Sequence, residues 1–176
     1  NMKLKEGISL PFLLISNLNE KKARTVLYVN GAGKNADATP GGPIERLIQE
    51  GYTVMAVDLR GMGETGRLES DKAWDEYFGP DWQDFFSAYM LHKTYAGMRA
   101  QDILTCAQYL SRLRIGGEFC QTHLLAIGEA GIPALHAAAL DPQLFETVTI
   151  KDTLVSWSNV LQHTITKNQL INTVHG

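Results

Sequence analysis

The chain is short of cysteine, of net charge and of long apolar runs. Cys106 and Cys120 are its only thiols in 176 residues. Two cysteines supply neither a disulfide framework nor the spacing of a zinc site. No run approaches the roughly 18 apolar residues of a membrane span. The first residues carry no secretory-leader pattern, and Asn1 before Met2 puts the natural start further upstream as an expectation. The net charge of -3 gives no reason to expect nucleic acid or an acidic membrane as partner. The longest basic run, Lys21-Lys22 followed by Arg24, reads as a solvated turn. No His/Asp/Glu set has ligand spacing, and the carboxylates from Asp71 to Asp84 read as surface charge on helical turns. Neither metal nor cofactor is expected.

What is present is a hydrophobic content of 44% against 20% charged residues, enough for one globular core. Buried strands are predicted at Thr25–Val29, Thr53–Leu59, Thr122–Ile127 and Phe145–Ile150, because each is a continuous apolar, β-branched run. Ile8–Asn17, with its early Pro11, reads as an edge strand. Helical periodicity marks Ile44–Glu50, Met98–Arg114 and Ile132–Leu140, and Trp157–Leu170 reads as helical. Gly116-Gly117 is the expected stop of the second of these. Strands alternating with helices demand parallel pairing, so the fold class is α/β, a mostly parallel sheet with helices on both faces. Residues 1–176 read as one domain, interrupted at about 68–93 by an aromatic-rich excursion that is either a lid or a packing flap.

In parallel sheets chemistry gathers at the carboxyl ends of the strands. Three glycine-rich or acidic turns lie there. Val-Leu-Tyr-Val-Asn-Gly-Ala-Gly (26–33) resembles the strand and loop that supply half of an oxyanion hole in α/β-hydrolases. Val-Asp-Leu-Arg-Gly-Met-Gly-Glu-Thr (57–65) resembles the Asp-x-Arg-Gly-x-Gly-x-Ser turn of that superfamily. Residues 125–142 resemble the nucleophile-elbow strand and its helix. The closest flavour is the acetyl xylan esterase and prolyl-oligopeptidase-like branch. The resemblance covers about residues 8–155. It implies a truncated three-layer sandwich, a small ester or carbohydrate ligand, and a secreted or periplasmic setting, with further domains of a longer parent and self-association left open.

The elbow needs small residues two positions either side of its nucleophile. One register places Gly128 at the nucleophile between Ala126 and Ala130. Another places Ala130 there, but brings bulky Ile132 to a small position. A third, with Glu129, sets Ile127 at one. Neither glycine nor alanine can attack an acyl carbon, so the resemblance implies a domain with no intact catalytic set. The acid and histidine of that family come later in the chain. Asp152 is the one weak acid candidate. His92, His123, His136, His163 and His175 read as surface or helix-face residues. Gly31, Ala32, Glu129 and Gly131 are the candidates for an oxyanion-type pocket built from backbone N–H groups.

Two other readings stand beside this one. Gly31-Ala32-Gly33 followed by Ala36, with Asp58 ending the next strand, fits a Rossmann-like nucleotide-binding module. The aromatic stretch 74–89 fits the contact face of a non-catalytic interaction domain.

Overall fold

The computed structural model describes residues 1–4, 7–17, 23–67, 72–154, 156–163 and 170–174. A short antiparallel pair, β1 (Met2–Lys3) and β2 (Ser9–Leu10), comes first. Pro11 has no N–H to donate and separates β2 from β3 (Phe12–Ile15), so the predicted edge strand is split. Next come β4 (Arg24–Asn30), α1 (Pro43–Gln49) and β5 (Thr53–Val57). The aromatic excursion forms α2 (Lys72–Phe78) and α3 (Trp82–Met90). After it come α4 (Tyr95–Ser111), the hairpin β6 (Arg114–Ile115) and β7 (Glu118–Phe119), β8 (Gln121–Ile127), α5 (Gly131–Leu140), β9 (Thr147–Lys151) and α6 (Trp157–Gln162).

The central sheet has the order β3-β5-β4-β8-β9. Only β3 runs antiparallel; the other neighbours are parallel. The expected α/β class is what the chain adopts. Alternation of side chains across β4 sends Leu27 and Val29 to one face and Val26 and Tyr28 to the other. The first face packs with Met55 and Leu124 against Ile103, Leu110 and Ala134 of α4 and α5. The second packs with Val54 and Ala56 against Ile44 of α1. Each such aliphatic side chain contributes about 1.5–3 kcal/mol when fully buried. Helices on both faces therefore make the strands apolar on both faces.

Local chemistry sets the helix ends. Pro43 opens α1, where its missing N–H costs nothing. The Thr94 hydroxyl accepts the Gly97 N–H at 3.2 Å and caps α4, which starts earlier than its apolar period suggests. That helix stops at Ser111, and Gly116-Gly117 form the turn between β6 and β7 instead of ending it. Of the predicted helix 157–170, α6 covers the first six residues, and residues 164–169 lie outside the described ones.

The fourth predicted strand differs most. β9 is exposed along most of its length, where burial was expected. It lies at the edge of the sheet, with β8 on one side and no strand on the other among the described residues. No helix among the described residues is long and apolar enough to cross a membrane.

Candidate functional site

Because β4, β5, β8 and β9 run parallel, their carboxyl ends bring three turns and Asp152 to one end of the sheet. At the end of β8, Ile127 is extended and Gly128 then turns to φ +64°. One tight helical turn, Gly128–Ala130, leads into α5. A positive φ at this point is the backbone strain of a strand-to-helix elbow. A Cβ built on Gly128 meets no atom within 4 Å. Ala126 and Ala130 are fully buried on either side, and Ala130 has ordinary right-handed angles, φ -71° and ψ -13°.

The neighbouring glycine turn touches this elbow. Gly31 donates its N–H to the Ile127 carbonyl at 3.0 Å. A Cβ on Gly31 would lie 2.9 Å from the Glu129 nitrogen, so the two turns come into backbone contact. Gly131 packs against the side chain of Thr153 in the same way. The Ala32 N–H has a partner of its own. It donates to Asn30 Oδ1 at 2.9 Å, while Asn30 Nδ2 and the Tyr28 hydroxyl both donate to Asp37 Oδ2, at 2.6 and 2.7 Å. Burial, then the hydrogen bond to Asp37 and its charge, push the Tyr28 phenol well above its ordinary pKa. A cavity of about 420 Å³ beside this chain of bonds is lined by Tyr28, Asn30, Asp37, Leu125, Ile127 and Asp152.

Asp152 stands at the right end of the sheet, one residue past the Ile127–Lys151 register pair. It sits at φ +54°, 70% exposed, with Lys151 Nζ 3.6 Å away. His123 lies near the start of β8, its Nδ1 2.8 Å from Thr147 Oγ1, and burial lowers its pKa. His136 lies on α5, His163 Nδ1 is 2.7 Å from the Asn159 carbonyl, and His92 follows α3. None of these four belongs to the strand-end turns; His175 lies outside the described residues. Nor is there a group of three or more His, Cys, Asp or Glu able to hold a metal, among the described residues.

The thiols offer no substitute nucleophile. Cys106 is fully buried, and burial, with the charge of Asp102, pushes its pKa up to about 12. The thiolate is the reactive form. A thiol titration at neutral pH should therefore leave Cys106 unmodified in the folded protein and label it on unfolding. Labelling at the rate of a free thiol in the folded state would contradict this.

Two sets of buried charges fix the strand-end turns, and sequence reasoning missed both. In the first, Asp58 Oδ1 accepts the Lys34 N–H at 2.6 Å, and Oδ2 accepts the Lys34 ammonium at 2.8 Å and the Glu64 N–H at 3.0 Å. The ammonium also bonds the Glu64 carboxylate. Burial pulls the Lys34 pKa down, but bonds to these two carboxylates outweigh it and hold it above the usual lysine value. Gly63 is packed so tightly on Asp58 that a Cβ would run into the carboxylate.

In the second, Arg60 forks onto Asp102 of α4, with Nε and Nη2 at 2.8 and 2.6 Å. Arg99, fully buried one turn earlier on α4, donates to the Arg60 carbonyl at 2.9 Å and to Asp81 at 2.8 Å. Asp81, read as surface charge from the sequence, is thus 7% exposed and paired. Asp84, by contrast, meets Arg67 at 2.8 Å near the surface, and Asp71 lies outside the described residues. The Arg99–Asp81 pair ties the aromatic excursion to the Arg60-Gly61 turn. Phe78 to Asp81 also form a tight crevice with Glu129. A signal for this set existed: Arg99 and Asp102 share their helix face with Ala96, Ile103 and Cys106.

The nucleotide-binding reading does not fit this geometry. It needs a helix that begins inside the glycine run, whereas α1 starts at Pro43. It also needs a free acid at Asp58, which is 1% exposed and bound to Lys34.

No family model and no curated protein matches the sequence. Solved structures do match the fold. Est1E from Butyrivibrio proteoclasticus, solved with ferulic acid bound, has a TM-score of 0.55 at 15% identity, over 81% of this chain and 48% of its own. A deformylase, Nfo, from Pseudomonas putida S16 has a TM-score of 0.53 at 21% identity, over 86% of this chain and 45% of its own. A hydrolase from Pseudomonas aeruginosa PA01 has a TM-score of 0.54 at 16% identity, over 93% of this chain and 52% of its own. The chain spans about half the length of these structures. The architecture is an α/β-hydrolase-like sandwich, and at these identities the likeness speaks for the fold alone.

Proposed function

We propose that this chain is an α/β-hydrolase-fold domain related to carbohydrate esterases, of the acetyl xylan esterase kind, whose elbow carries Gly128 where a nucleophile would stand. It takes up a small ester or carbohydrate ligand and does not cleave it. The observation that carries this reading is the backbone of Gly128, at φ +64° in the turn from β8 to α5, with open space where a side chain would project. The Ala130 register is the weaker one, because its Cβ is buried in the core and its angles are those of the helix that follows. Glycine cannot attack an acyl carbon, and no described histidine lies in the strand-end turns to serve as base. Of the N–H groups of the expected oxyanion-type pocket, Gly31 already donates to the Ile127 carbonyl and Gly131 to the Gly128 carbonyl, so an acyl or carboxylate oxygen would have to compete with those bonds. For Ala32, a ligand would have to compete with Asn30. Est1E, which shares the fold, was solved with a carboxylic acid, ferulic acid, bound. The aromatic excursion supports a neighbouring reading, a non-catalytic interaction domain, because Trp74, Tyr77 and Tyr89 are each more than half exposed.

The test is hydrolysis of p-nitrophenyl acetate. Release of nitrophenolate should match buffer alone. Saturable turnover that is lost in Glu129→Gln would sink the proposal. The register has its own check. Gly128→Ser gains no clash and pays only for a left-handed non-glycine residue, about 1–2 kcal/mol. That corresponds to a melting temperature lower by roughly 2–8 °C for a chain of this size. Failure of Gly128→Ser to fold would show that the space read at this position is absent.

A further inference from the structure

A second cleft lies away from the elbow. It opens between the β1–β2 pair, the Arg60-Gly61 turn and helices α3 and α4, with a volume of about 430 Å³. Ile8, Ala88, Leu91 and Met98 supply its apolar walls. Past Arg60 and Met98 it continues into a recess of about 340 Å³, where Leu4, Gln101 and Thr105 follow the flank of α4. The two hollows lie in line along the helix, so the groove suits an extended molecule. Two strands separate β5, which leads into the Arg60-Gly61 turn, from β9.

The floor of this groove holds one polar group without a partner. Tyr95 opens α4 and is 6% exposed, and its hydroxyl bonds no group among the described residues. Oη lies 2.6 Å from where a Cβ on Gly61 would stand, and Gly61 has φ +70°. Any larger residue at 61 would cover the hydroxyl. Burial pushes the phenol up to about 12, so it keeps its proton and can donate. Buried polar groups are nearly always paired. A lone hydroxyl at the floor of a hollow therefore calls for a bonding atom on the molecule that fills it.

The charges around Tyr95 decide what kind of molecule that is. Arg60 is answered by Asp102, Arg99 by Asp81, and Asp84 by Arg67. Lys93, on the rim, is exposed to water. A carboxylate or an ammonium would bring a charge into the groove with no counter-charge left there to balance it. A hydroxyl brings none, and both accepts and donates. We propose that this groove binds a small neutral alcohol with an extended apolar body, its hydroxyl bonded to Tyr95 and its body laid along Met98 towards Thr105.

Three probes share one apolar chain and differ only at the head: octan-1-ol, octanoate and octylammonium. Each is titrated into the ¹⁵N-labelled chain. Octan-1-ol should shift the amide signals of Thr65, Ala88, Met98 and Gln101 saturably, below its solubility limit. The two charged probes should bind roughly tenfold more weakly or less. Tyr95→Phe keeps the ring on Arg99 and removes only the hydroxyl, so octan-1-ol should weaken about 2–12-fold. Ser87 is exposed and lines the groove, so Ser87→Trp should block it without disturbing the core. The dispersion of each variant's spectrum checks that the fold is kept. Absence of saturable shifts would overturn the proposal. So would octanoate or octylammonium binding as tightly as the alcohol, an unchanged affinity in Tyr95→Phe or Ser87→Trp, or shifts centred on Gly31 and Gly128 at the elbow.

Discussion

Asp58→Ala should lower the unfolding free energy by about 3–5 kcal/mol, the range for breaking a buried ion pair on one side. Stability of a domain is about 5–15 kcal/mol in total, so the loss is a large share of it. The reason lies in what Asp58 holds. Its two oxygens accept one ammonium and two backbone N–H groups, from Lys34 and Glu64. Alanine leaves Lys34, 4% exposed, with only Glu64, and leaves two N–H groups without their acceptor. An unsatisfied buried polar group alone costs about 1–3 kcal/mol. A thermal melt should show a midpoint lower by roughly 10 °C. Lys34→Met combined with Asp58→Leu separates the two contributions. If the ion pair were the whole effect, this double variant would regain full stability; the backbone bonds predict only partial recovery. A melt of Asp58→Ala within 2 °C of the unaltered protein would show that the turns do not depend on this carboxylate.

Asp102→Ala should cost a similar amount. Asp102 is fully buried and accepts both arms of the Arg60 guanidinium. Removing it takes the two-armed acceptor from a cation that is itself 9% exposed, close to the fully buried Arg99. Arg99 then keeps its bond to Asp81 at 2.8 Å, while Arg60 loses both of its bonds to Asp102. Asp102→Asn keeps the shape but gives Arg60 a neutral acceptor, and should fall between the alanine variant and the original. Replacing Arg60 and Asp102 together by leucine should recover part of the loss, because a well-packed apolar pair can match a buried ion pair. Denaturant titration measures all four proteins. Equal midpoints for Asp102→Ala and the original would mean that the Arg60 fork carries no stability.

These charges also show where sequence reasoning stops. The strands around Leu27, Met55 and Leu124 were legible because a sheet covered on both faces requires uninterrupted apolar runs. The turns at their ends were legible because glycines and an Asp-x-Arg-Gly pattern interrupt those runs abruptly. Arg99 and Asp102 were not, since a charge on a helix is exposed far more often than buried, and only the tertiary partner decides. Asp81 failed for the same reason. β9 failed for another. Val148 and Ile150 have the composition of a buried strand, and composition does not say whether a neighbouring strand exists. At the elbow, spacing narrowed the nucleophile position to Gly128 or Ala130 but did not rank their backbone angles. The bond from Ala32 to Asn30 was invisible, because it depends on the orientation of one amide side chain.

The central pairing of the sheet has a kinetic side. β4 bonds β8 directly, so Thr25 and Thr122 touch across 97 residues of chain. Closing so long a loop must precede the contacts that reward it. β4 and β5, only a helix apart, can pair early, and α4 can form from its own capped end. The β4–β8 ladder cannot exist until the sequence up to Ile127 has left the ribosome. Until then the β4 edge is open, bearing Val26, Leu27 and Val29 with nothing beside them. Refolding should accordingly be slow for a chain of this length, and its late step should be the arrival of β8 on the open edge of β4, with β9 able to pair only after it.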